Sequence, residues 1–128
     1  MEVERLQIEL KIFNYKSDIT VQLIQDINRL LAYPDPKNKY RAQLLNARSV
    51  LYQKQKEYTK ALADNAKVIS MESGNNKALS QLYCQRGSIL NDIHSETLAT
   101  RAYAEAARLD PETYIPNHYR KLIGGARK

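Results

Sequence analysis

Cys84 is the only cysteine in the chain, so no internal disulfide can staple it. Acceptor sites of the Asn-x-Ser/Thr type are absent, and no apolar run approaches the length of a membrane span. The opening MEVERLQIELK mixes acids and bases where a secretory leader would carry an apolar core. Glycine and proline are scarce, four of each and nearly all between periodic segments, and runs of β-branched residues are few. These scarcities argue against sheet and leave an all-α chain. The expectation is a cytoplasmic protein with no transmembrane segment. An apolar content of 43% excludes a disordered chain, and 128 residues make a single domain spanning 1–128.

Chemistry is equally thin. His94 and His118 stand far apart, with no Cys, Asp or Glu at ligand spacing around either, so they read as turn or surface residues and no metal site is expected. The stretch Gly74-Asn75-Asn76-Lys77 lacks the second glycine of a phosphate-cradling loop and reads as a turn. Cys84, alone on a helical face, reads as a small inert hydrophobe and not as a nucleophile. No catalytic, cofactor or metal residues are assigned, and the chain is read as no enzyme.

What is present is helical periodicity. In Tyr83 to Pro111, packing residues fall at Tyr83, Gly87 and Leu90, then at Leu98, Ala99, Ala102, Tyr103, Ala106 and Leu109, with a polar interruption between the two runs. Three- and four-residue steps of this kind make two amphipathic helices joined by a turn. Gly87 and Ala99 are expected at a close helix–helix approach, with Tyr83 and Tyr103 filling the space above and below it. The same phase recurs upstream at Leu45, Ser49, Tyr52, Tyr58, Ala61, Leu62, Asn65, Val68 and Ile69, where Ser49 takes the place of Gly87. A turn is expected at Lys54-Gln55-Lys56 and a loop at Ser73-Gly74-Asn75-Asn76. Before these, Val3, Leu6, Leu10 and Phe13 step along one helix. Ile19, Leu23, Ile24, Ile27, Leu30 and Leu31 step along another, capped by Ser17 or Asp18 and broken by Pro34 and Pro36. A short last helix is expected from Pro116 to Ile123, with Tyr119, Leu122 and Ile123 packing and Gly124 stopping it. Residues 126–128 are expected to fray.

The pattern of an aromatic, a glycine, then alanine, aromatic and closing proline resembles the tetratricopeptide repeat superfamily. Arg86 stands where that family has Leu, and Asn65 where it has an aromatic. The stretch ALADNAKVI, the Gly74 loop, Gln85-Arg86-Gly87 and Ala106-Ala107-Arg108-Leu109 further resemble the small tetratricopeptide repeat protein 36 family. The resemblance implies a right-handed α-solenoid: a degenerate first hairpin over 1–34, a repeat over 40–73, the best-matching repeat over 78–111 and a capping helix over 115–123, about seven helices in all. It also implies a non-catalytic adaptor associated with a chaperone of the Hsp70 type. In clamp-type members an Asn precedes the middle repeat's Arg and two cations begin the last repeat. Here Ala47 precedes Arg48, and Gln81 and Gln85 hold the two basic positions, so no carboxylate clamp is expected.

Stacked hairpins turn one side of every first helix onto a concave surface suited to a peptide or a partner's helix. The candidate groove residues are Gln43, Asn46, Ala47, Val50, Gln53 and Lys54 in one hairpin and Gln81, Cys84, Gln85, Ser88 and Asn91 in the next. That lining is polar but scarcely charged. Arg48 and Arg86 are expected to pack their stems between helices with their heads reaching outward. A net charge of +6 supports a rival reading as a basic binder of nucleic acid or an anionic membrane surface. The basic residues are dispersed, however, apart from the C-terminal Arg120, Lys121, Arg127 and Lys128, and Tyr52, Tyr58, Tyr83 and Tyr103 fall on packing positions, away from any use as base-stacking platforms.

Overall fold

The computed structural model describes residues 19–34 and 40–125. Every regular element among them is an α-helix: α1 over 19–32, α2 Arg41–Lys54, α3 Tyr58–Met71, α4 Asn76–Asp92, α5 Glu96–Leu109 and α6 Asn117–Gly125. The helix expected through Val3 and Phe13, the Ser17 or Asp18 cap and residues 126–128 lie outside the described residues.

The chain divides into two units, Met1–Leu44 and Leu45–Lys128. In the first, α1 buries Ile24 and Ile27 but leaves Ile19, Leu23 and Leu30 exposed, so its apolar face is only half used. Arg41, at the start of α2, donates from Nη1 to the carbonyl of Leu31 at 3.3 Å.

The second unit contains two helical hairpins whose turns repeat bond for bond. Lys56 and His94 adopt left-handed backbones with φ of 63° and 65°. The amides of Glu57 and Ser95 each reach back to the carbonyls of Tyr52 and Leu90 at 2.9 Å. Those of Lys56 and His94 bond the carbonyls of Gln53 and Asn91 at 3.0 and 2.9 Å. This paired pattern satisfies carbonyls that a helix end otherwise leaves bare, and it needs one left-handed residue after the last turn. Between the hairpins, Gly74 sits at φ 89°, a conformation glycine adopts without steric cost. Asn75 then caps α4, its side chain accepting from the Ala78 amide at 3.1 Å.

The hairpin α4–α5 carries an apolar core of Leu90, Ala99, Ala102, Tyr103 and Ala107, closed by Ile115 and by Tyr119 of α6. Ala99 and Ala106 are fully buried. The surface over Gly87 is filled by the Tyr103 ring itself: a Cβ at Gly87 would lie 2.6 Å from Cε2 and 2.8 Å from Cδ2 and Cζ. The glycine makes room for an aromatic ring, so Tyr103 fills the space beside it as expected. Leu98 leaves the expected stripe and is 48% exposed. The rings of Tyr103 and Tyr119 lie 4.7 Å apart at their centroids, and the Tyr119 hydroxyl donates to Asn91 Oδ1 at 2.6 Å.

The hairpin α2–α3 solves the same geometry with polar groups. Ser49, in the register of Gly87, is fully buried and donates from Oγ to the carbonyl of Ala61 at 2.8 Å. Asn65, in the register of Tyr103, is also fully buried. Its Nδ2 donates to the Leu82 carbonyl at 3.0 Å and its Oδ1 accepts from Arg86 Nη1 at 3.2 Å. Both bonds run to α4, so the amide is spent on the next hairpin. Arg48 turns inward, correcting the expectation of an outward head. Its Nε and Nη2 form a two-pronged bond with Asp64 at 2.7 Å each. Hydrogen bonding to that carboxylate holds the Arg48 pKa above its ordinary value, and the guanidinium lies 5.7 Å from the Tyr52 ring centroid. Arg86 is likewise tied inward, to Asn65. For Arg48 the physical reason is that a guanidinium between helices is tolerated when its donors are answered; Arg86 makes one such bond.

At the other end, α6 runs through Gly124 to Gly125. Gly124 does not stop it because a glycine ends a helix by turning left-handed, and Gly74 is the only positive-φ glycine among the described residues. Tyr119 is buried and Ile123 packs on the core as expected, whereas Leu122 is exposed.

Candidate functional site

Side-chain amides join α2 to α4. Gln53 donates from Nε2 to Ser88 Oγ at 3.1 Å and to Asp92 Oδ2 at 2.9 Å. Gln85 donates from Nε2 to Ser49 Oγ at 3.2 Å. Amides at 53 and 85 reach across because residues three and four apart share one helical face, and 81, 85, 88 and 92 form such a row on α4.

Of the candidate groove residues, Gln53, Gln85 and Ser88 come together but bond one another or the neighbouring helix. Asn91 is taken by Tyr119. Cys84 is partly buried, with Sγ 3.7 Å from Thr113 Oγ1 and 3.6 Å from the Tyr114 carbonyl. Burial pushes its thiol pKa up, which keeps it protonated and unreactive. Asn46 is half-buried and turns its Oδ1 inward, without a hydrogen-bond partner among the described residues. Val50, Lys54 and Gln81 stand exposed. Gln43 is exposed too and belongs to the Met1–Leu44 unit. The surface left for contact on α2 and α4 is therefore narrower than the expected roll of residues: Ala47, Val50, Lys54 and Gln81, all exposed, around a closed amide ladder.

Two contributors are missing from the sequence reading. Asp92 accepts from Gln53, and Tyr114, 79% exposed, stands over Cys84 through its backbone. Asp92 is legible in principle, one turn on from Ser88. Tyr114 is not, since it lies in an irregular segment. His118 faces Glu96, Nε2 to Oε2 at 2.9 Å, on an exposed surface. Among the described residues, no three His, Cys, Asp or Glu side chains cluster closely enough to hold a metal ion, and no helix is long and apolar enough to cross a membrane.

No family model, curated protein or solved structure matches the chain.

Proposed function

We propose that the chain is a small α-solenoid of the tetratricopeptide kind, about three hairpins and a capping helix, acting as a non-catalytic protein–protein adaptor in the cytoplasm. The observation that carries this reading is the recurrence of one helix-ending turn, first at Lys56 and again at His94. Two hairpins that end alike and are bridged by Gln53–Ser88 and Gln85–Ser49 lay α2 and α4 side by side, the arrangement from which repeat proteins make a binding face. The partner is a peptide or helix of another protein, engaged around Val50, Lys54 and Gln81. A chaperone is one such partner, but its acidic tail is not gripped by a carboxylate clamp: Gln81 is neutral and Gln85 is committed to Ser49, and charge-assisted bonds are about twice as strong as neutral ones.

Calorimetry with a peptide ending in Glu-Glu-Val-Asp tests the clamp. No clamp binding is expected from the unmodified protein, and micromolar binding that survives Arg101→Gln but is lost in Arg86→Ala would overturn the reading. Photo-crosslinking from Val50 and Gln81 in cell extract, read by mass spectrometry, tests the adaptor. Recurrent protein adducts are expected. Tight binding to RNA, DNA or anionic vesicles with a steep salt dependence would instead favour the basic-binder reading.

A further inference from the structure

The side of α4 turned away from the amide ladder carries a second feature. Tyr83, Arg86 and Leu90 of α4, with Leu98, Arg101 and Ala102 of α5, line a cavity of about 220 Å³. Four of its lining residues, Tyr83, Leu90, Leu98 and Ala102, are apolar or aromatic, and the other two are arginines. Pockets for drug-sized ligands start near ~300 Å³, so this one has room for a side chain and not for a cofactor.

The internal repeat says what the cavity lacks. Arg48 and Arg86 occupy the same register, as do Asp64 and Ala102, each pair separated by the interval that separates Ser49 from Gly87. In the first hairpin the carboxylate of Asp64 answers Arg48 with two bonds of 2.7 Å. In the second, that position is an alanine, and Ala102 lines the cavity. Arg86 meets only the amide of Asn65, at 3.2 Å, and no carboxylate among the described residues. Arg101, exposed at the rim, has no ion-pair partner among them either; Glu105, one turn on, is held by Arg108 at 3.0 Å. Leu98, 48% exposed, extends the apolar part of that lining to the surface.

We propose that this cavity receives an aspartate or glutamate side chain of a partner protein, between Arg86 and Arg101, with an adjacent aliphatic residue of the partner resting on Leu98. The carboxylate takes the place that Asp64 fills in the first hairpin, and charge complementarity selects an acidic segment over a neutral one. The site is independent of the amide ladder between α2 and α4.

The test is NMR titration of the full chain, following the Nε–Hε signals of Arg86 and Arg101. The probes are a capped peptide containing Leu-Asp-Leu, its Leu-Asn-Leu counterpart, and sodium acetate. Saturable shifts at both arginines are expected from the aspartate peptide, with affinity about tenfold or more above the asparagine peptide. Ala102→Asp, which supplies the carboxylate from within, should abolish them, and Arg101→Gln should weaken them severalfold. Because Ala102 is buried and its variant can fail to fold, the exposed Arg101→Gln serves as the second arm. Equal affinity for the asparagine peptide, an equal response to acetate, or binding unchanged in Arg101→Gln would each overturn the proposal.

Discussion

Replacing Gly87 by alanine sets two effects of known sign against each other. On an isolated helix the change stabilises by about 1 kcal/mol, because alanine loses less backbone entropy than glycine. Here the new Cβ would lie 2.6 Å from Cε2 of Tyr103, far inside the ~3.5–4.0 Å of an unstrained carbon contact. The ring has nowhere cheap to go, being 4% exposed and packed on Tyr119 at 4.7 Å. Inserting a methyl into such a site costs about 1–3 kcal/mol, so Gly87→Ala is expected to lower stability by up to about 2 kcal/mol after the propensity gain. Tyr103→Ala alone should cost about 3–5 kcal/mol. In that background the methyl enters vacated space, and Gly87→Ala should stabilise by about 1 kcal/mol. The informative quantity is the coupling between the two sites, expected at about 1–3 kcal/mol from urea unfolding followed by far-ultraviolet circular dichroism. A Gly87→Ala variant equally stabilising in both backgrounds would refute the reasoning, because glycine would then be present for no reason connected with the ring.

Three further outcomes are expected. Asp64→Ala leaves the inward Arg48 unanswered and should cost about 1–3 kcal/mol in urea unfolding, while Arg48→Met combined with Asp64→Leu should recover most of that loss. Burial pushes the Tyr103 phenol from its ordinary 10 up to about 12; the neutral form is favoured in the fold, so its contribution is intact below pH 10 and is lost as pH climbs from 10 towards 12. Burial pushes the Tyr119 phenol up as well, so an absorbance titration should show late tyrosine absorbance, of which the latest part disappears in Tyr103→Phe. Glycine at either left-handed turn residue, Lys56→Gly or His94→Gly, relieves a backbone cost and should raise the thermal midpoint, each substitution stabilising by up to about 1 kcal/mol.

The two hairpins of the second unit are legible in the sequence because their apolar residues step at helical spacing and because turn chemistry marks their joints: Gly74 and Asn75 fall in the expected loop, and Lys56 ends the expected turn. The repeat spacing is legible for the same reason. Interior polar partners are not. Arg48 and Asp64 lie on different helices and look, one by one, like solvated charges; only the packing of α2 on α3 reveals that they face each other. Asn65 reads only as a departure from the expected aromatic, because nothing in the sequence says that the Leu82 carbonyl lies within its reach. The candidate groove is mapped from helical phase alone, and phase gives the side of a helix but not what already occupies it. Gln53, Gln85 and Asn91 are on the expected side and are each engaged within the chain.

The buried amide of Asn65 makes the two hairpins of the second unit non-interchangeable. Cut free, the first would lose both α4 partners of that amide. A second copy of the α4–α5 hairpin in its place would bring Tyr103 to that register, an aromatic that answers neither the Leu82 carbonyl nor Arg86. Order along the chain is thus written into one side chain. Units that repeat in shape need not be modules in the combinatorial sense, and shuffling or duplicating them by recombination would meet resistance at this joint first.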